Sequence, residues 1–220
     1  MENTNTEIQT RKLNRYTSLP ILLDMLRRKK LVLLDPSSWE DRNDSQIIQE
    51  YKERKQLQQL YAVCFSIGDE TIHHWKTYAS GISGCCIEFD EMKLLRSLQG
   101  IKEIRYGDVI YRKLKEVRNS PIDVDRIPFT KRYPYRVENE FRILWEQTTE
   151  QEQYEPERKH IEIDIDLSSI NRITISQNMP MDIFNTIIDL LREGNETSKS
   201  IINRSTLFEN QVWIDTFKDS

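Results

Sequence analysis

The stretch His160-Ile161-Glu162-Ile163-Asp164-Ile165-Asp166-Leu167 alternates apolar and acidic residues without a break. Successive side chains of an extended chain point to opposite faces. Ile161, Ile163, Ile165 and Leu167 therefore share one face, and Glu162, Asp164 and Asp166 the other. One dry face and one wet face is the pattern of a sheet packed on one side only. A second apolar strand, Ile170 to Ile175, follows with no helix between the two.

The same punctuation recurs upstream. Leu13 to Thr17, Leu31 to Leu34, Tyr61 to Ser66, Cys85 to Phe89 and Glu140 to Trp145 read as strands, and Ile101 to Tyr111 holds one or two more. Helical spacing appears at Leu19, Leu22, Leu23 and Leu26 behind Pro20, and in a polar helix over residues 44–59 carrying Ile47, Ile48 and Tyr51. It appears again at Ile72, Trp75 and Tyr78, and from Pro180 to Gly194 with Ile183, Phe184, Ile187, Ile188 and Leu191. Residues 115–130 read as a loop-rich excursion, and the tail from Ser205 to Phe217 is apolar enough to dock. Strands outnumber helices and do not alternate with them. The expected class is α+β, a mixed or antiparallel sheet core with flanking helices. Residues 1–12 are expected to be disordered and residues 13–220 to form a single domain.

Hydrophobic residues make up 37% and charged residues 31% of 220 residues, and the formal net charge is −4. Trp, Tyr, Phe and Ile are spread along the chain, which separates it from a disordered sequence. The acidic balance argues against general nucleic-acid binding, which needs a cationic excess to displace counterions. The basic run Arg27-Arg28-Lys29-Lys30 closes a predicted helix, where cations offset the dipole. No apolar run approaches the roughly 20 residues of a membrane span, and Met1 to Thr10 lacks the apolar core of a signal peptide. Three cysteines, two of them adjacent, do not make a disulfide framework. The expectation is a cytoplasmic protein with no membrane contact.

Familiar cofactor motifs are missing. The sequence has no G-x-G-x-x-G, P-loop, H-E-x-x-H or nucleophile elbow. His73 and His74 are adjacent and cannot share a metal from one helical face, and they read as a polar helix start. The Glu162, Asp164 and Asp166 row reads as a solvated strand face, and no metal site is expected. The most suggestive stretch is Glu138-Asn139-Glu140-Phe141-Arg142. At strand period its two carboxylates and its guanidinium share a side. Such a cluster fits either a cleft, where it would split carboxylate pKa values, or an exposed salt-bridged face of little energetic value. Tyr133, Tyr135, Phe141 and Trp145 around it favour the cleft.

In order along the chain stand Arg15-Tyr16-Thr17, Pro36, Trp39, Asn43-Asp44, Cys64-Phe65-Ser66, Trp75 with Tyr78-Ala79, Gly84-Cys85-Cys86-Ile87-Glu88-Phe89, Lys131, Glu138-Asn139-Glu140-Phe141-Arg142 and the Ile173-to-Met179 turn. This ordered set resembles a widespread bacterial family of uncharacterised domains over roughly residues 13–205. It departs mildly at Trp39 and Tyr135, where the family has Phe and Trp. The opening strand, Leu-rich helix and second strand also look like the start of ADP-ribosyltransferase folds. Arginine-type transferases carry an Arg on the first strand, a Ser on a middle strand and Glu-x-Glu late, and Arg15, Ser66 and Glu138-x-Glu140 occur here in that order.

The resemblance implies an NAD-consuming transferase or glycohydrolase, a toxin or anti-phage effector, with NAD as substrate and a protein or nucleic-acid acceptor. Glu140 would stabilise the oxocarbenium-like state and Glu138 would orient the acceptor. Arg15 would hold the pyrophosphate or ribose, with Tyr16, Ser66 and Arg142 at the cofactor and Trp75 or Tyr78 stacked on nicotinamide. Two alternatives stay open. One is a non-enzymatic sensor or interaction module, joined to a partner protein or a second copy through an apolar patch near Val212, Trp213 and Phe217. The other is a metal-dependent nuclease, disfavoured by scattered acids and the lack of an E-x-K element.

Overall fold

The computed structural model describes residues 10–148, 158–193 and 201–218. Its opening follows the sequence closely. Strand β1 (Lys12–Ser18) runs into helix α1 (Leu19–Arg28), which has Pro20 in its first turn and Arg27 and Arg28 in its last. Lys29, at φ 55°, ends the helix and turns the chain into β2 (Lys30–Leu34). Helix α2 (Arg42–Arg54) is capped by the Asp41 side chain, which accepts from the amides of Asn43 and Asp44.

The long strand β3 (Leu57–Ile67), helix α3 (Ile72–Tyr78), strand β4 (Gly84–Asp90) and helix α4 (Glu91–Ser97) come next. Then follow β5 (Ile104–Asp108), β6 (Ile110–Arg112), α5 (Leu114–Asn119), β7 (Thr130–Arg132) and β8 (Glu140–Thr148). The last elements are β9 (His160–Asp164), β10 (Ile170–Ile175), α6 (Met181–Glu193), β11 (Ile201–Arg204) and α7 (Gln211–Thr216). This is the expected α+β class.

Nine strands form one sheet in the order β11-β10-β4-β1-β3-β2-β9, with β8 and β5 branching from β3. Its ladders are antiparallel except β10 with β11. Strand β3 organises the sheet. One edge pairs with β8 from Leu57 to Ser66. The other edge is shared: β1 takes Ser66 and Ile67, and β2 takes Ala62. Strands β1 and β2 therefore part along Val63, Cys64 and Phe65, and the sheet is split there.

Each face has its own core. Helices α1, α4 and α6 bury Leu22, Leu94 and Phe184 against Leu13, Ile87, Phe65 and Ile143. On the opposite face α2 packs Ile48 and Tyr51 onto Leu60, Ala62 and Leu144, and α3 packs Trp75 and Ala79 onto Cys86 and Tyr16.

Several expectations are corrected. Helix α2 stops at Arg54 and β3 starts at Leu57, because Gln56 turns the chain at φ 52° and the residues after it pair with β8. Strand β9 stops at Asp164 because the Asp166 carboxylate caps a short 3-10 turn over Leu167–Ser169. The excursion over 115–130 contains α5 and a 3-10 helix over Val124–Phe129, and α4 had no sequence signal. The tail does not dock through α7, which buries no residue. Gly194 lies outside the described residues. Thr10 donates to Asp90, and the Arg11 fork grips Glu91.

Candidate active site

The start of β8 carries the densest polar cluster among the described residues. Asn139, at φ 41°, places a left-handed turn between Glu138, the last residue of a 3-10 helix, and Glu140, the first of β8. That turn swings both carboxylates onto Lys131, whose ammonium lies 2.7 Å from Glu138 Oε2 and 3.5 Å from Glu140 Oε2. The same ammonium is 3.2 Å from Asp44 Oδ2 on α2.

Arg142, fully buried, completes the cluster. Its Nε donates to Glu140 Oε1 at 2.5 Å and its Nη2 to Glu140 Oε2 at 3.0 Å. Nη1 and Nη2 fork onto Asp44 at 3.1 and 2.5 Å, and Nη1 also donates to the Pro128 carbonyl at 3.0 Å. Trp39 stacks on the guanidinium and Tyr135 on the Lys131 ammonium, at 5.1 and 4.9 Å. Asp44, Glu138 and Glu140 against Lys131 and Arg142 leave a formal surplus of one negative charge.

These contacts set the charge states. Burial works against the charge on Glu140, but the Arg142 guanidinium outweighs it and holds the pKa at about 2. Burial alone would lower the Lys131 pKa, and Glu140, Asp44 and Glu138 raise it instead. Burial, reinforced by Glu140, pushes the neighbouring Cys64 thiol well above its ordinary value. The cluster reaches the surface at Tyr78, which is 45% exposed and donates to Glu138 Oε1 at 2.8 Å.

Of the residues expected from sequence, Glu138, Glu140, Arg142 and Tyr78 meet here. Ser66 stands next to them. Asn14, Ser66 and Glu140 are register partners across β1, β3 and β8 and so face the same side. Tyr16, two residues on from Asn14, shares that side and stacks on His74 with ring centres 5.1 Å apart, its edge contact going to Trp75. The Ser66 hydroxyl is buried and makes no hydrogen bond among the described residues, while the buried Tyr16 hydroxyl lies against the Cys86 thiol and the Thr71 backbone.

Arg15 forms no ion pair with Glu138 or Glu140 among the described residues, and its electrostatic partners are the thiols of Cys64, itself beside Glu140, and Cys85. It pairs with Ile87 on β4, with the parity opposite to Asn14, at the split of the sheet. Two strand spacings, ~10 Å, and a change of face separate its backbone from that of Glu140. Burial lowers its pKa, and no carboxylate pairs with it among the described residues.

Asp44, Lys131, Cys64 and Trp39 belong to this site although the sequence reading gave them no chemical role. They were visible as polar and aromatic members of the ordered family pattern. His74 was read as part of a polar helix start, and it is buried instead. Its Nε2 donates to the Glu138 carbonyl at 2.9 Å, and its Nδ1 lies 2.7 Å from the Thr71 hydroxyl. Among the described residues no group of three or more His, Cys, Asp or Glu side chains is arranged to hold a metal ion, and no helix is long and apolar enough to cross a membrane. A broad cavity of about 940 Å³ opens beside Gln59, Trp145 and Ile161 and touches none of the predicted residues.

No family model matches the chain, and no curated protein matches it. Among the solved structures similar to it are two of DarT from Thermus sp. 2.9. The complex with NAD+ is 11% identical over 90% of this chain and 96% of that one, with a TM-score of 0.44. The complex with ADP-ribosylated single-stranded DNA is 12% identical over 88% and 93%, also at 0.44.

Proposed function

We propose that the chain is an ADP-ribosyltransferase-like enzyme that consumes NAD at the Glu138 edge of the charge cluster. The observation that carries the reading is the register Asn14–Ser66–Glu140, which sets an unpartnered buried hydroxyl beside a carboxylate cluster of surplus negative charge. Buried hydroxyls without partners are rare, and a hydroxyl of a ribose would satisfy Ser66.

In the proposed reaction the bond between ribose C1′ and the nicotinamide nitrogen breaks, and its electron pair leaves with nicotinamide. The sugar becomes oxocarbenium-like, and the surplus negative charge of the cluster stabilises it. An acceptor oxygen or nitrogen, from a protein, a nucleic acid or water, then bonds to C1′ and gives up its proton to solvent. Glu140 is locked by the fully buried Arg142, whereas Glu138 Oε1 is held only by the hydroxyl of the exposed Tyr78. Glu138 therefore takes the contact with the ribose 2′-hydroxyl in place of Tyr78, and Glu140 fixes the charge behind it. This exchanges the two parts expected from sequence. Tyr78, exposed beside Glu138, is placed to cover the nicotinamide. Arg15 stays outside the reacting group's contacts.

Nicotinamide release from NAD tests this in the wild type, Ser66→Ala and Glu138→Gln, with single-stranded DNA, with protein acceptors and with neither. Release by the wild type and a loss of about tenfold or more in each variant is expected, with the melting temperature unchanged in Ser66→Ala. A wild type that releases no nicotinamide under any of these conditions overturns the reading.

A second reading, an interaction module, is favoured by one observation. Val212, Trp213 and Phe217 on and beside α7 are 79%, 67% and 65% exposed. Its test is sedimentation of the wild type against Trp213→Ser. Self-association lost in the variant supports it, and a monomer in both counts against pairing of copies through α7.

A further inference from the structure

Helix α3 has a second side. His74 and Tyr78 reach toward the charge cluster, while Trp75, Lys76 and Ala79 line a separate cavity of about 210 Å³. The opposite wall comes from the turn after β10 and the segment after β11. That volume is small against the roughly 300–1,000 Å³ of sites for drug-sized ligands. It has room for one planar ring system and not for a whole dinucleotide.

The lining chemistry narrows the occupant. Trp75 and Phe208 supply aromatic surface, the first buried and the second 46% exposed at the mouth. Ala79 and Gly81 present little bulk, so a ring can approach the backbone. The polar groups are neutral hydroxyls and carboxamides from Ser176, Gln177, Asn178 and Ser205, and no carboxylate lines the space. Gln177 Oε1 accepts from the Phe208 amide at 3.1 Å, which ties the two walls together and leaves the carboxamide N–H groups free among the described residues. Lys76, which is exposed, is the one cation among the described residues that line the cavity, and Arg204 donates to the Gln177 carbonyl behind the wall.

From this we propose that the cavity binds the base of a nucleotide. The heteroaromatic face packs between Trp75 and Phe208, its polar edge meets the Gln177 and Asn178 carboxamides, and its phosphate meets Lys76. A nucleobase needs both an apolar face and mixed donors and acceptors at its edge, and this lining offers them together. The proposal does not rest on the transferase reading, since the cavity lies across α3 from Glu138 and binding is measured without turnover.

Calorimetric titration of the full chain with adenosine monophosphate, adenosine, ribose 5-phosphate and an oligo(dA) hexanucleotide tests it. Adenosine and its monophosphate are expected to bind, and ribose 5-phosphate is not. Phe208→Ala, at an exposed position, is expected to weaken both by about tenfold or more, and Lys76→Ala to weaken only the monophosphate. Binding by the free nucleotide identifies a soluble ligand, and binding by the hexanucleotide alone identifies a base within a strand. Equal binding of ribose 5-phosphate, affinity untouched by Phe208→Ala, or no heat from any base-bearing ligand at millimolar concentration overturns the proposal. Nicotinamide release does not enter the readout, so the two proposals stand or fall separately.

Discussion

Arg142 has no contact with solvent, and its charge is tolerable only because two carboxylates and a carbonyl surround it. Removing one partner from such a group leaves the others charged, buried and uncompensated. Arg142→Met is therefore expected to cost about 3–5 kcal/mol in urea denaturation. Glu140→Gln is a poor catalytic probe for the same reason, because a lost fold and a lost reaction would look alike. Ser66→Ala separates them. Its hydroxyl has no partner among the described residues, so its removal leaves stability unchanged or slightly raised, and any loss of activity belongs to the ligand. Arg15 is the converse of Arg142, a half-buried cation with no carboxylate partner among the described residues. Arg15→Met is expected to stabilise the fold by about 1–3 kcal/mol, read as a higher urea midpoint. A lower midpoint would mean that a counter-charge holds Arg15 in solution.

At the scale of elements, the contact between α3 and β4 is set by a single missing side chain. A Cβ on Gly84 would lie 1.9 Å from the Ala79 carbonyl oxygen, and backbone cannot yield as a flexible side chain does. Gly84→Ala is expected to cost about 2–3 kcal/mol and to disturb both sides of α3, measured by thermal denaturation. Elements of this kind were legible wherever burial has a period. Leu19, Leu22 and Leu26 announced α1, and the apolar run from Cys85 to Phe89 announced β4. Helix α4 is short: Leu94 is its one fully buried residue, and the Leu95 and Leu98 contacts that complete a helical period sit beside it and at its C-cap, too few to stand out from a strand or turn. The start of β3 was hidden because Gln56 makes a left-handed turn without glycine, and Gln58 and Gln59 then imitate a polar helix end. The site was half legible. Glu138, Glu140 and Arg142 are near neighbours in sequence, but Asp44 stands 98 residues from its partner Arg142 and only the register of β3 with β8 brings α2 over it.

For the whole molecule, acid should act in two steps. Burial holds the His74 pKa below its ordinary value, so folding favours the neutral ring. That contribution is fully present above the unfolded value near 6.5 and is lost as pH falls below it. Glu140 shifts from 4.5 to about 2, so its contribution is present above 4.5 and is lost as pH falls toward 2. Urea midpoints measured from pH 8 to pH 3 should fall first below about 6.5 and again below 4.5, and His74→Gln should remove only the first step. The split along β3 has a different consequence. Strand β1 meets β3 at two residue pairs, Leu13 with Ile67 and Asn14 with Ser66, whereas β1 meets β4 at seven and β3 meets β8 at nine. A two-rung joint between long ladders is a hinge line for local opening. Strand β2 meets β3 at one pair only, Leu34 with Ala62, while β2 meets β9 at five. Deuterium should therefore enter first at both joints on this shared edge of β3, dividing the sheet into three slowly exchanging blocks: β11, β10, β4 and β1; β3, β8 and β5; and β2 with β9.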